Sequence, residues 1–261
     1  MLEQQSGLSP LNQNRLAITL MSHEIITGLI HYWRESLFIE PFVVLSFTLC
    51  FIVGLIYHRK DKEKLVFLAY FFTGIILFVQ NTLLVVGKLL TGTQLAICQE
   101  VFNTVFELTE FIAFYYFFKK SLRNNKFKRV LKTSLYILST IIAIFLAALL
   151  IANYSVAKIK ADSLVINVIE FFFLFIMCLA YFRELFTDAP TKNLFTRSSF
   201  LIVTSTFFYT ILMIPFFLIA SDVRLTETSI YSTVTACHYL LLIVLLLSIS
   251  KAFLCKQPIT T

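Results

Sequence analysis

Charge is what this sequence has least of. Asp, Glu, Lys and Arg make up 14% of its 261 residues, whereas a soluble domain is typically about 25% charged. Paired cysteines are also missing. Cys50, Cys98, Cys178, Cys237 and Cys255 stand singly with no CxxC spacing, so they read as small hydrophobes rather than as a disulfide frame or metal site. The first 20 residues lack the basic, then apolar, then small-residue order of a secretory signal. No gap between apolar segments is long enough for a second domain. Walker A, GxSxG, HExxH and GxGxxG are all absent, which removes the sequence signatures of P-loop nucleotide hydrolases, α/β-hydrolases, zincins and dinucleotide enzymes. No cofactor and no metal is expected.

What remains is hydrophobic. Apolar residues make up 58% of the chain, with 29 phenylalanines and a mean hydropathy of +0.83. That composition predicts an all-α integral membrane protein. A span needs roughly 20 apolar residues, and seven segments qualify: about 37–57, 65–87, 95–118, 132–153, 163–182, 198–220 and 228–250. Together they predict a seven-helix transmembrane bundle over 37–255.

The net charge of +7 then acquires a meaning. Basic residues near span ends mark the cytoplasmic side. One set of gaps holds Arg59, Lys60, Lys62 and Lys64, the run from Lys119 to Lys132, then Arg183, Lys192, Arg197, Lys251 and Lys256. The other set holds only Arg15, Arg34, Lys88, Lys158, Lys160 and Arg224. Every loop agrees with its neighbours, so the amino terminus is expected outside and the carboxyl terminus in the cytoplasm, in the cell's inner membrane. No basic patch interleaves with aromatics in a soluble region, so the partner is a lipid bilayer and not nucleic acid.

Residues 1–21 are a polar extension expected to lack regular structure, and Met21 is an alternative start to Met1. Residues 22–36 then place Ile25, Ile26, Leu29, Ile30 and Trp33 on one helical face and His23, His31, Arg34 and Glu35 off it. This predicts an interfacial amphipathic helix, either an anchor or a lid over an outer vestibule. Glu40-Pro41 suits the first turn of the following span.

The third span poses the functional question. Glu100, Asn103, Glu107 and Glu110 repeat at 3-4-3 spacing and form one stripe. Glu107 lies ~18 Å below the span's outer end at ~1.5 Å per residue. A charge facing lipid at that depth costs a few kcal/mol or more, so the stripe must face the bundle interior. Other spans offer partners: Asn167 and Glu170 in the fifth, Tyr231, Thr235 and His238 on one face of the seventh, Gln80 and Asn81 in the second, and Thr204-Ser205-Thr206 with Tyr209 in the sixth. No lysine or arginine lies deep in any span, so protons, His238 or a bound cation must balance the carboxylates.

Known seven-helix families fit poorly. A retinal lysine is missing from the middle of the seventh span. The inner end of the third reads FYYFFKK where a G-protein-coupled receptor has an acidic-Arg-Tyr triplet, and His238 alone cannot supply the histidines of a ceramidase-type zinc site. The block ELTEFIAFYYFFKKSLRNNKFKR and the terminal KAFLCK resemble seven-helix inner-membrane proteins of Bacteroidota, and more loosely the seven-helix sensor modules that precede bacterial signalling domains. The latter resemblance implies a separate signalling partner, since no output domain follows in this sequence. Four functions stay open at this point. One is a receptor- or sensor-like bundle holding a small or cationic ligand, with Pro215 as a hinge. The second is a proton- or cation-coupled carrier using Glu107, Glu110, Glu170 and His238. The third is an intramembrane enzyme built on a carboxylate–histidine pair. The fourth is a structural subunit whose polar stripe merely joins helices.

Overall fold

The structure is a computed structural model that describes residues 39–56, 62–86, 92–151, 156–187, 197–221 and 229–255. Among the described residues there are seven helices and no strand: α1 (Ile39–Ile56), α2 (Lys62–Val86), α3 (Gly92–Ser121), α4 (Asn125–Ile151), α5 (Val156–Thr187), α6 (Ser198–Ala220) and α7 (Ser229–Leu254). The polar extension over 1–21 and the interfacial helix expected over 22–36 lie outside the described residues.

Five helices are long and apolar enough to cross a membrane. They are α1, α4, α5, α6 and α7. In α2 the apolar stretch within the described side chains is Leu65–Gln80. α3 falls below the hydropathy of a span because Glu100, Asn103, Glu107 and Glu110 interrupt it. Several helices also outrun the apolar segments that announced them. α3 covers 92–121 rather than 95–118, α4 begins at Asn125 rather than 132, and α5 covers 156–187 rather than 163–182. Hydropathy marks where apolar surroundings end, whereas a helix stops where its backbone finds a cap or turn.

The turn between α3 and α4 shows such a stop. Leu122 N–H still bonds to Phe118 O (2.9 Å), and Asn124 then caps α4 by accepting from Lys126 N–H (2.8 Å). The Glu184 carboxylate of α5 accepts from Arg123 N–H (2.7 Å) and Asn124 N–H (2.9 Å). A carboxylate at a helix start satisfies amides that have no helical partner, so one side chain ties this turn to α5.

Six helices close a ring in the order α1, α2, α3, α5, α6, α7 and back to α1, while α4 packs outside it against α3 and α5. Hydrogen bonds join the seams. Cys50 Sγ lies 3.0 Å from Leu246 O and 2.9 Å from Ser250 Oγ, linking α1 to α7. Tyr181 Oη meets Ser199 Oγ at 3.0 Å between α5 and α6.

The exterior is apolar: Leu45, Ile56, Tyr136, Ile144 and Val244 are all more than half exposed. Exposed apolar surface this extensive belongs in a bilayer or an interface, not in water.

Inside the ring, the end bearing the α1–α2 and α3–α4 connections is filled with aromatics. Phe67 is the hub, edge-on to Phe114 (5.7 Å), Phe117 (6.1 Å) and Phe253 (6.2 Å), while Phe71 also meets Phe253 (6.0 Å). Above this layer Phe47 lies against Gly74. A Cβ at Gly74 would fall 2.6–2.8 Å from the Phe47 ring. That ring is fully buried and wedged by Tyr70, Phe78 and Phe106, so it has nowhere to go. Gly74→Ala should therefore destabilise the bundle by about 1–3 kcal/mol, the usual cost of overpacking, measured by denaturant titration of the purified protein; a neutral result would mean that α1 and α2 separate freely.

Candidate functional site

The opposite half of the ring is not filled. It holds a half-open cavity of about 160 Å³ whose walls come from α2, α3, α5, α6 and α7. The third helix contributes the whole stripe Glu100, Asn103, Glu107 and Glu110, with Phe106 beside it. The fifth contributes Ser163, Asn167, Glu170 and Phe171. The spacing explains both sets. Steps of three and four residues keep successive side chains on one helix face, and Ser163, Asn167, Glu170 step by four and three as the α3 stripe does.

All four glutamates are buried: Glu100 and Glu107 are 8% exposed, Glu110 4% and Glu170 1%. For Glu107, Glu110 and Glu170 the polar contacts are incomplete. Asn103 Nδ2 donates to Glu100 Oε2 at a long 3.4 Å. The Asn167 side chain meets Glu107, and the Tyr70 hydroxyl, buried and itself without a hydrogen-bond partner, lies near Glu110. Even so, Glu107 Oε2, Glu110 Oε1, Glu170 Oε1 and Asn167 Oδ1 are buried without a hydrogen-bond partner. Burying such an atom unpaired costs about 1–3 kcal/mol. These oxygens are acceptors, and among the described residues no lysine or arginine lines the cavity to donate to them.

The seventh helix brings Thr235, His238 and Tyr239, and the sixth brings Tyr209 and Phe217. His238 Nδ1 lies 3.1 Å from the Tyr209 hydroxyl, and its ring sits 5.3 Å from that of Phe217 and 5.6 Å from that of Tyr239. The histidine is thus held by α6 rather than directed at a carboxylate. Tyr231 belongs to α7, but its side chain is outside the described residues.

Several sequence expectations are placed differently. The second helix gives the cavity Leu77 and Phe78 rather than Gln80, and the Asn81 side chain is outside the described residues. Thr204 and Ser205 turn to a separate groove between α6 and α7, while Thr206 is spent on a bond to Ile202 O at 2.8 Å. Glu100 lines the cavity together with the rest of its stripe. α6 runs unbroken through Pro215, two residues before Phe217.

Sequence reasoning missed the aromatic side of the site. Phe78, Phe106, Phe171, Phe217 and Tyr239 join Tyr209, which the sequence did point to, around the acidic stripe. With 29 phenylalanines in the chain, the only local signal was adjacency to polar residues, as in Phe106-Glu107 and Glu170-Phe171.

Among the described residues no group of three or more His, Cys, Asp and Glu is arranged to hold a metal ion. No family model matches the chain, and no curated protein or solved structure is significantly similar to it. Buried acceptors within an aromatic wall are what the site offers, and that combination suits a ligand carrying a positive charge with N–H or C–H groups.

Proposed function

We propose that this chain is a seven-span inner-membrane protein, amino terminus outside, whose bundle binds a small cation in the manner of a receptor or sensor. The observation that carries the reading is the set of buried, unpartnered acceptor oxygens converging from α3 and α5 on one aromatic-lined cavity. Aromatic faces attract cations, and desolvated carboxylates attract them more strongly. Size narrows the class. An apolar cavity of about 150 Å³ accommodates benzene, so about 160 Å³ suits a small alkylammonium or quaternary ammonium ion. A separate signalling protein would read out occupancy.

A carrier is the alternative, and the aromatic layer argues against it. Phe67, Phe71, Phe114 and Phe253 fill the ring on one side of the cavity, and a conduit would need that layer to part.

The test is thermal unfolding of the purified protein in detergent with tetramethylammonium, against tert-butanol as an uncharged control of similar shape. At a hundred times the dissociation constant a ligand adds about 2.7 kcal/mol, or roughly 5–10 °C for a chain of this size. The expected result is a rise with the ammonium ion and none with the alcohol; equal responses to both would end the cation reading.

Topology has its own test. The excess of basic residues in alternate gaps supports a carboxyl terminus inside. Green fluorescent protein fused after Lys256 should fluoresce, and alkaline phosphatase fused there should be inactive. An active phosphatase would reverse the bundle and place the acidic cavity toward the cytoplasm.

A further inference from the structure

The groove between α6 and α7 is separate from the acidic cavity and opens to the bundle's exterior, where Phe208 and Val244 are more than half exposed. Its volume is about 380 Å³, larger than the cavity's. Three features describe its occupant. First, Lys251 lines one end and is exposed, and among the described residues it makes no ion pair. Second, from Lys251 the groove runs along α7 to Leu241, ten residues or ~15 Å at the helical rise. That is about half of the ~30 Å hydrocarbon core of a bilayer, the depth of a single leaflet. Third, the Ser205 and Ser248 hydroxyls in its wall are taken up by carbonyls of their own helices, so apart from Thr204 Oγ1, which has no hydrogen-bond partner, the lining beyond Lys251 offers an occupant apolar surface.

We infer that this groove holds one acyl chain of an anionic phospholipid from the cytoplasmic leaflet, with its phosphate on Lys251. A lysine at headgroup level attracts anionic lipid, and an apolar slot one leaflet deep fits the attached chain. Tyr209 gives the site a consequence. It lines both the groove and the acidic cavity, and its hydroxyl contacts His238. A chain seated in the groove therefore buttresses the side chain that positions His238. The inference requires membrane immersion with Lys251 at a headgroup level, but not that the cavity binds a cation.

The experiment is native mass spectrometry of the full chain, purified in detergent and incubated with equal amounts of phosphatidylglycerol and phosphatidylcholine. The wild type should retain phosphatidylglycerol preferentially. Lys251→Gln should lower that retention about five-fold, one lysine's attraction for an anionic surface. Val244→Trp, which fills the groove from an exposed position, should abolish it without changing the unfolding temperature. Ser248→Phe fills the same groove from α7 should the first variant fold poorly. Equal retention of the two lipids, unchanged retention in Lys251→Gln, or unchanged retention in a folded groove-filled variant would each overturn the assignment. So would a dimer mass replacing the lipid adduct.

Discussion

Replacing Glu110 with glutamine should lower tetramethylammonium affinity by about 10–100-fold, because interactions with a charged group contribute about 1.5–3 kcal/mol and each 1.4 kcal/mol is tenfold. The same substitution should leave the unliganded bundle as stable as before, or more so. Glutamine keeps the shape of the side chain and a carbonyl that can accept from Tyr70. It also brings an amide N–H₂ to a site where Glu107 Oε2, Glu170 Oε1 and Asn167 Oδ1 all lack donors. Opposite signs for binding and stability are what a ligand site produces, since such sites hold groups that the empty fold would be better without. A stripe that served only to join helices would give the other pattern: Glu110→Gln would cost stability, and tetramethylammonium would be irrelevant in either protein. Glu107→Leu completes the series. It removes the partner of Asn167 and should cost about 1–3 kcal/mol of stability as well as binding. Isothermal titration and denaturant unfolding on the three proteins separate the readings.

The part of this site that was legible in the sequence rests on one strong physical penalty. A carboxylate cannot face hydrocarbon cheaply, and helical periodicity converts 3-4-3 spacing into a shared face. Those two facts alone turn Glu100, Asn103, Glu107 and Glu110 inward, and the same logic reaches Asn167, Glu170 and His238. Hydroxyls are weaker guides. Thr204, Ser205 and Thr206 can each bond to a carbonyl of their own helix, and Ser205 and Thr206 do so. Nothing therefore forces them toward the cavity, and two of the three line the outer groove.

Helix neighbours were not legible at all. The sequence order would seat α4 between α3 and α5, yet α3 and α5 meet directly and α4 lies behind them. α4 carries polar residues of its own, among them Thr133, Ser134 and Thr140, but each bonds to a carbonyl four residues back. None of these needs a partner in the ring, so the helix can sit outside it. Glu184 went unread for a different reason. Its role is to hold the backbone of a turn 60 residues away in sequence, and capping across such a separation leaves no periodic trace.

The second large effect concerns the layer beneath the cavity. Phe67 is fully buried and touches rings from α2, α3 and α7. Phe67→Ala should cost about 3–5 kcal/mol, the range for truncating a buried phenylalanine, and part of that is the edge-to-face contacts, each worth about 0.5–1.5 kcal/mol beyond burial. Phe67→Leu retains most of the volume and should cost less. Transport distinguishes the functions that stability cannot. In proteoliposomes the wild type should carry no tetramethylammonium across, because the ring is filled on one side of the site. Phe67→Ala removes one ring but leaves Phe71, Phe114, Phe117 and Phe253 able to close on the gap, so it should lose stability and still not conduct. Ligand-dependent flux through the wild type would mean that the aromatic layer parts during a cycle, and it would replace the receptor reading with the carrier. Flux in Phe67→Ala alone would keep the receptor reading and identify this one ring as the barrier between the acidic cavity and the other side of the membrane.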